Sequence, residues 1–437
     1  MKRQRSRGRV ALATVAAVCS VGALPGQAAA VGESDPYVFD QHATTVAGAV
    51  ASTDAGQLKA GSIYRSSIKP GGQLYYQVEL DATSDTYVSA VAVPRLGPQE
   101  KVDYGDGIKV SLQDLRGNSC GNDNAAVFGS AGYPRPIAAH ATRAVRKGGI
   151  SCQSAGPYYV LIERTTKATS TQEEWQLEIR VDSEPGLKSG SASPTVAPTS
   201  WPSVSPVPPA GTAQRTEGGT GFNDAAALEP GVWDDRIKPG QTRFYRVPVG
   251  WGQQLFASAD LGSSTGSGFV ASALNVQLYN PVRSEVTRGY TVYDGKPKSA
   301  ASDPLPSVAY RNRYSVRDEV SGMRMAGDYY FAVTLSPDVA KSFGIKEYGL
   351  TLRMSVKGTE GSAPAYAGAV PHYGTSAGGD AGQSVMKLVG IAGISAGTVL
   401  MLGLGAWTLI ARRRAETLPT REPGRQPPSQ YGPPPAW

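Results

Sequence analysis

The sequence predicts an all-β protein, with two tandem β-sandwiches placed before one C-terminal transmembrane helix. Three observations support this. Short segments alternate apolar and polar residues with a period of two, and Pro-Gly, Gly-Asn and Asp-Gly turns separate them. The same sequence blocks occur in the same order in both halves of the chain. Near the C-terminus, residues 388–411 carry no charge.

The first sandwich is predicted over residues 58–182, after a loose leader that contains at most one edge strand. No segment before Leu388 shows a long apolar period of 3.6 residues, which favours short strands over helices. The runs that indicate strands are Leu74–Leu80, Tyr87–Val93, Ile108–Leu112, Tyr158–Ile162 and Trp175–Val181.

The second sandwich is predicted over residues 218–357, beyond a linker at 183–217 that is rich in Pro, Ser and Thr and cannot build a core. Blocks of the first sandwich recur in the second, about 170 residues later, which indicates a tandem duplication. Ile68-Lys69-Pro70-Gly71 recurs as Ile237-Lys238-Pro239-Gly240, a sequence that suits a type II turn. Paired core positions are expected at Tyr76 and Tyr245, Val78 and Val247, Leu112 and Leu278, and Tyr159 and Tyr330.

The two ends of the chain predict its location. Residues 1–30 have the charged, apolar and Ala-x-Ala regions of a secretory signal peptide. A helix over 388–411 is long enough to span a bilayer, and Arg412, Arg413 and Arg414 mark its cytoplasmic side. These signals predict a single-pass cell-membrane protein whose N-terminal part is extracellular. A Gly/Ala-rich tether at 358–387 precedes the span, and a Pro-rich cytoplasmic tail occupies 412–437.

Gly393 and Gly397 form a Gly-x-x-x-Gly face within the span, which suits close packing against a membrane partner or a second copy. Glycine is also common in membrane helices generally, so this spacing alone leaves both interpretations open.

The net charge and the cysteine content give further evidence on the class of protein. The formal net charge of +7 comes from the basic flanks of the two apolar segments, so it gives no argument for nucleic-acid binding. Cys120 and Cys152 remain after removal of the signal peptide, and two cysteines in an exported domain are expected to form a disulfide. Free thiols and a metal site are the alternatives.

The block order also resembles known families. A turn, a Gly-x-x-x-Tyr strand, an alternating strand, Ala-Gly-x-Tyr-Tyr and a closing strand resemble the bacterial pre-peptidase C-terminal domain over 60–182 and 225–357. Trp251-Gly252-Gln253 also resembles the sandwich segments of actinobacterial membrane-anchored von Willebrand factor A proteins. The resemblance implies jelly-roll-like sandwiches and an accessory role. No protease or von Willebrand A domain is present, and no catalytic residue transfers.

The sequence shows no catalytic constellation, and no catalytic residue, metal site or cofactor is predicted. Gly-x-Ser-x-Gly occurs at 262–266, 374–378 and 393–397, but none has the strand and helix that a nucleophile elbow requires. The histidines at 42, 140 and 372 are expected in solvated loops. Asp103 and Asp106 could hold Ca²⁺, although Asp and Gly are also the ordinary residues of turns.

A binding surface is predicted on the long connection 281–321 of the second sandwich. Tyr310, Arg311, Arg313 and Tyr314 are of the residue types enriched at binding hot spots. A disordered excursion is the alternative. The sequence therefore predicts a non-catalytic envelope binding or accessory protein, whose partner is an envelope protein or polysaccharide. The alternatives are a surface hydrolase and a structural subunit of a membrane assembly.

Overall fold

The computed structural model describes residues 36–373, apart from 98, 122, 130, 131, 192, 193 and 372. These residues belong to one compact unit. The predicted signal peptide, the span with Gly393 and Gly397, and the cytoplasmic tail lie outside the described residues. Within the described part of the chain, no helix is long and apolar enough to cross a membrane.

The first half folds into two five-stranded sheets. Its strands are β1 (Thr44–Thr45), β2 (Gly56–Leu58), β3 (Ser62–Ile68), β4 (Gln73–Leu80), β5 (Asp85–Val93), β6 (Gly107–Gln113), β7 (Asn124–Val127), β8 (Ile137–Arg143), β9 (Gly156–Thr165) and β10 (Trp175–Glu184). The strand orders are β1-β3-β10-β5-β8 and β2-β4-β9-β6-β7. One apolar cluster fills the space between the two sheets and forms the core of a β-sandwich.

The second half repeats this arrangement. Its strands are β11 (Gln214–Arg215), β12 (Ala226–Ala227), β13 (Gly231–Ile237), β14 (Thr242–Val249), β15 (Gln254–Leu261), β16 (Val270–Tyr279), β17 (Glu285–Tyr293), β18 (Lys298–Ala301), β19 (Gly327–Leu335) and β20 (Tyr348–Lys357). The orders β11-β13-β20-β15-β18 and β12-β14-β19-β16-β17 match the first half strand for strand. The prediction of an all-β fold is confirmed, and four five-stranded sheets agree with two sandwiches.

Short helices lie only in connections of the described chain. They are 3₁₀ helices at Ser52–Asp54 and Tyr310–Tyr314, α1 at Asp318–Ser321 and α2 at Asp338–Phe343. The segment before residue 58, predicted as a leader, contributes β1 and β2 as parallel edge strands.

The repeated turns have the predicted geometry. Gly71 and Gly240 adopt φ values of 65° and 85°, which favour glycine because it has no Cβ. In each turn the amide after the glycine donates to the lysine carbonyl three residues earlier, at 3.0 Å. Both turns are therefore of the type II kind that Pro-Gly favours.

Three of the four predicted core pairs lie in the sandwich cores, but the pair Tyr159 and Tyr330 was wrong. Tyr158 and Tyr329 fill the two cores instead, because side chains alternate across a strand and only one of two adjacent tyrosines faces inward. Tyr330 is fully buried on the opposite face, where the two sandwiches meet. Tyr159 is half-buried.

The predicted disulfide is present. Cys120 and Cys152 are bonded, with their Cα atoms 5.4 Å apart, which is an ordinary separation for a disulfide. The bond joins the segment after β6 to the segment before β9.

The segments predicted as linker and tether are ordered where the structure describes them. The linker lies along the second sandwich, where the Trp201 indole donates to the Pro304 carbonyl and Arg353 donates to the Pro209 carbonyl, both at 2.9 Å. In the predicted tether, Tyr366 and Tyr373 are buried. The tether prediction did not anticipate this packing, which anchors an otherwise Gly/Ala-rich segment through two aromatic side chains.

Candidate functional site

The two sandwiches meet through an apolar cluster that neither sheet needs for its own core. Phe222 lies at its centre, with its ring centroid 5.0 to 5.1 Å from those of Phe244, Tyr279 and Tyr330. The first sandwich contributes Val91 and Ala138 from the outer faces of β5 and β8, together with Tyr37 from the leader. This contact fixes the two sandwiches in one arrangement and determines which side chains surround the clefts between them.

A buried ion pair reinforces this contact. Arg283, in the turn between β16 and β17, donates to the carboxylate of Glu178 on β10. The same carboxylate accepts from the Asp40 amide at 2.8 Å, from Tyr37 at 3.1 Å and from the Asn223 amide. Burial alone would raise the pKa of Glu178, but the Arg283 charge and these donors hold that pKa below its ordinary value.

A second buried pair joins the sandwiches at Arg313. Its guanidinium donates to Glu184 at 2.6 Å and to Asp85 at 2.9 Å. Glu184 also accepts from Tyr87 at 2.5 Å and from Tyr366 at 2.7 Å, so the first part of the tether closes the cluster. Burial acts to raise the pKa of Glu184, and Arg313 with the two phenols outweighs it, which leaves that pKa lowered.

The structure places Arg313 inside the chain, which corrects its predicted position on a partner-facing surface. Arg313 is 7% exposed because Glu184 and Asp85 of the first sandwich draw it into the interface. Tyr310 stacks on the Arg313 guanidinium at 3.4 Å, and Tyr314 lies under Arg146 at 5.3 Å. Arg311 is exposed. External binding by Tyr310, Arg311 and Tyr314 stays a prediction.

A groove lies beside this interface, and both sandwiches contribute to it. Its volume is about 580 Å³. Asn124 comes from the first sandwich, and the remaining lining comes from the linker, from β17 and from the connection between β18 and β19. Arg317 lies over the Trp201 ring at 5.2 Å and donates to Glu319 at 2.6 Å. The other charged lining residues are Glu285, Arg288, Asp303 and Asp318.

A smaller cavity of about 150 Å³ adjoins the groove and shares Glu285 and Asp318 with it. His140 lines this cavity from β8, so the prediction that this histidine lies in a solvated loop was wrong. Burial, and then the charge of Arg324, lower the pKa of His140 to about 3. The imidazole is therefore neutral at physiological pH.

The other residues considered in the sequence analysis form neither a metal site nor a catalytic site within the described part of the chain. Asp106 is fully buried, and its carboxylate accepts from the amides of Asp103 at 2.9 Å and Lys167 at 2.8 Å, as in a turn. Within the described residues, no group of three or more His, Cys, Asp or Glu could hold a metal. Ser264 donates to the neighbouring Thr265 carbonyl at 3.1 Å. The other two Gly-x-Ser-x-Gly motifs and His372 lie outside the described residues.

Sequence reasoning missed Glu178, Arg283, Arg324 and the interface itself. A signal was present on β5, whose outward positions include Tyr87, Val91 and Val93, where a solvent-facing strand would carry polar residues. An apolar outer face next to alternating charges on β10 indicates a second covered face.

The comparisons with known proteins add no identity. No protein-family model matches the chain, and no curated protein matches it. A tandem CBM22 domain of Paenibacillus barcinonensis Xyn10C aligns with 76% of this chain and 100% of its own, at 10% identity and a TM-score of 0.18. The Staphylococcus aureus collagen adhesin aligns with 73% of this chain and 99% of its own, at 7% identity and a TM-score of 0.12.

A triple jelly-roll protein of an archaeal virus aligns with 67% of this chain at 10% identity and a TM-score of 0.17. The match spans about half of that viral protein, 54% of its length. TM-scores this low support no argument about ancestry or function. The class defined by the structure itself is a tandem β-sandwich protein with a composite groove.

Proposed function

We propose that this chain is a non-catalytic binding or accessory protein of the cell envelope, and that the composite groove is its binding site. The observation that carries the proposal is the construction of the groove from both sandwiches. Asn124 of the first sandwich faces the linker and the β17 region of the second across one concave surface. Buried ion pairs hold that surface in a fixed geometry, which lowers the entropic cost of binding.

The lining favours a polysaccharide over a protein partner. Eight of the twelve lining residues are charged or polar, whereas the cores of protein interfaces are depleted of charged residues. Carboxylates, guanidinium groups and an amide supply many hydrogen-bonding positions, and the Trp201 ring supplies one flat apolar surface. Exposed Arg311 remains part of the proposed outer surface, where an envelope protein would make contact.

A direct test compares groove variants with a matched surface control. Replacing Trp201 with Phe and Arg317 with Gln keeps an aromatic ring but removes the indole N–H and the cation. We expect binding of the full-length chain to purified cell-wall polysaccharide to fall about tenfold, as for loss of one hydrogen bond to a charged group. The control, Tyr104→Phe with Arg116→Gln, changes the same residue classes at exposed sites away from the groove. Equal pelleting of both variants with the polysaccharide would refute the groove as the site.

We further propose that each sandwich is a jelly roll. The antiparallel orders β3-β10-β5-β8 and β4-β9-β6-β7 of the first half support this proposal, because an eight-stranded jelly roll pairs its strands in the same way. We propose that 388–411 anchors the sandwiches outside the cell. Protease added to wall-stripped cells should then remove the sandwiches and spare a tag after Trp437. Digestion of that tag on intact cells would reverse the proposed orientation.

A structural subunit is the second candidate, and the buried pairs Glu178–Arg283 and Glu184–Arg313 favour it because they stiffen the tandem. A deletion that removes both sandwiches but keeps the span separates the two functions. If inserting an unrelated rigid spacer restores the cellular phenotype, the chain is a spacer. If only the native sandwiches restore it, the binding function stands.

A further inference from the structure

The cavity beside the groove contains a cation, Arg324, that no residue in the described part of the chain neutralises. Arg324 is 9% exposed, and its guanidinium lies over the Tyr87 ring at 4.7 Å. Its Nε has no hydrogen-bond partner, and no carboxylate lies within ion-pair distance among the described residues. A buried charge without a partner is costly, and native proteins rarely leave one unpaired.

The other arginines of the cavity are already paired, so Arg324 differs from them. Arg313 binds Glu184 and Asp85, and Arg146 binds Asp85 at 3.0 Å. On the acidic side, Glu285 is paired with Arg288 at 2.6 Å. Asp318 is exposed at the start of α1, where water screens its charge. The uncompensated buried charge of this cavity is therefore positive.

Two neutral polar groups in the same cavity also lack partners. His140 Nδ1 and Ser284 Oγ are buried and form no hydrogen bond with any described residue, and both residues line the cavity with Arg324. A neutral imidazole has one N–H to donate, and a hydroxyl has one O–H. Together they place a charged donor and two neutral donors around one space of about 150 Å³.

We propose that this cavity binds one small oxyanion, with Arg324 as its charge partner and His140 and Ser284 as its hydrogen-bond donors. A planar guanidinium fork matches the oxygens of a carboxylate, phosphate or sulfate. The space also exceeds what a single water needs. The anion is either free or a substituent of the polymer in the adjoining groove, since both sites share Glu285 and Asp318.

Calorimetric titration of the full-length chain in detergent tests the site with three probes: inorganic phosphate, sulfate and acetate. We expect saturable one-to-one binding of at least one of them. The chain has three histidines, so ring-labelled histidine gives few resonances, and His140→Gln identifies the relevant one. The bound anion should shift the His140 resonance and raise the pKa of His140 from about 3, while the resonance of exposed His42 keeps its position.

The matched variants are Arg324→Gln in the cavity and Arg116→Gln on the exposed surface. Loss of a charge-assisted hydrogen bond should weaken anion binding at least about tenfold in the first and leave it unchanged in the second. If Arg324→Gln unfolds, the titration of the wild-type chain and the shift of its His140 resonance test whether the cavity binds the anion. No saturable binding of any probe, or binding without a shift of the His140 resonance, would overturn the site.

The groove variant, Trp201→Phe with Arg317→Gln, separates this site from the proposed function. Anion binding that persists in the groove variant supports the cavity site whatever the fate of the groove. Purified cell-wall polysaccharide that displaces the bound probe from the wild type but not from the groove variant indicates an anion carried by the groove ligand, and a probe that the polysaccharide displaces from neither indicates a free anion.

Discussion

At the scale of single residues, the charges that hold the sandwiches together are also the ones most sensitive to change. Glu184 is 1% exposed, so water does not solvate its carboxylate. Arg313 and the phenols of Tyr87 and Tyr366 donate the hydrogen bonds that stabilise its charge. A buried ion pair is not by itself strongly stabilising, but removing one partner leaves the other charged and buried. The same reasoning applies to Glu178 and Arg283.

Arg313→Met therefore tests the second buried pair. The uncompensated carboxylate of Glu184 should cost about 3–5 kcal/mol of the free energy of unfolding. Arg116→Met, at an exposed arginine, should change it by less than about 0.5 kcal/mol. Urea unfolding of both variants gives the comparison. A similar midpoint for the two would show that Arg313 does not stabilise the interface.

At the scale of elements, the same strand pattern is used twice and its outer face has different roles. The inner faces of β4 and β14 place Tyr76 and Tyr245 at matching positions in the two cores. On the strands beside them, the outward tyrosines differ: Tyr159 of β9 is half-buried, whereas Tyr330 of β19 is buried against the first sandwich. These inner-face residues are therefore the same in both halves because both cores need the same packing. The burial of the outer face depends on whether the other sandwich covers it.

At the scale of the whole molecule, titratable groups at the interface make the stability of the folded chain depend on pH. His140 has a folded-state pKa of about 3, below its ordinary value of 6.5, so the folded chain binds fewer protons than the unfolded chain in this range. Stability is then fully present above pH 6.5 and declines as the pH falls from there. Arg324, Arg313, Arg146, Glu285 and Asp318 surround this histidine. Glu178 and Glu184 have lowered pKa values, so their contribution is lost only below their ordinary value of 4.5.

We therefore expect two stages of acid destabilisation. The free energy of unfolding should fall by about 1.4 kcal/mol per pH unit between pH 6 and 5 through His140, and more steeply below pH 4.5. His140→Gln should remove the first stage and keep the second. Thermal unfolding across this range measures both. An unchanged slope between pH 6 and 5 in His140→Gln would assign the first stage to other groups.

The sequence by itself determined the features that depend on local order along the chain. Period-two alternation and Pro-Gly turns predicted the strands and the type II turns at Gly71 and Gly240, and two cysteines in a domain expected to be exported predicted the disulfide. The repeated blocks predicted a second sandwich by tandem duplication, and the two halves have matching strand orders. Alternation and turns depend on neighbouring residues, and the repeat is found by comparing one half of the chain with the other. The sequence of a single chain is therefore sufficient to recognise these patterns.

Only the tertiary structure decided how the sandwiches meet and where the clefts lie. Arg313 follows Asp85 by more than two hundred residues, and no local pattern indicates that the two will pair. Arg324 and His140 look like ordinary surface residues in the sequence, and they become a buried cation and a neutral imidazole only when β8 faces α1 across the interface. Burial and charge pairing depend on which faces are brought together, and that is a property of the folded chain.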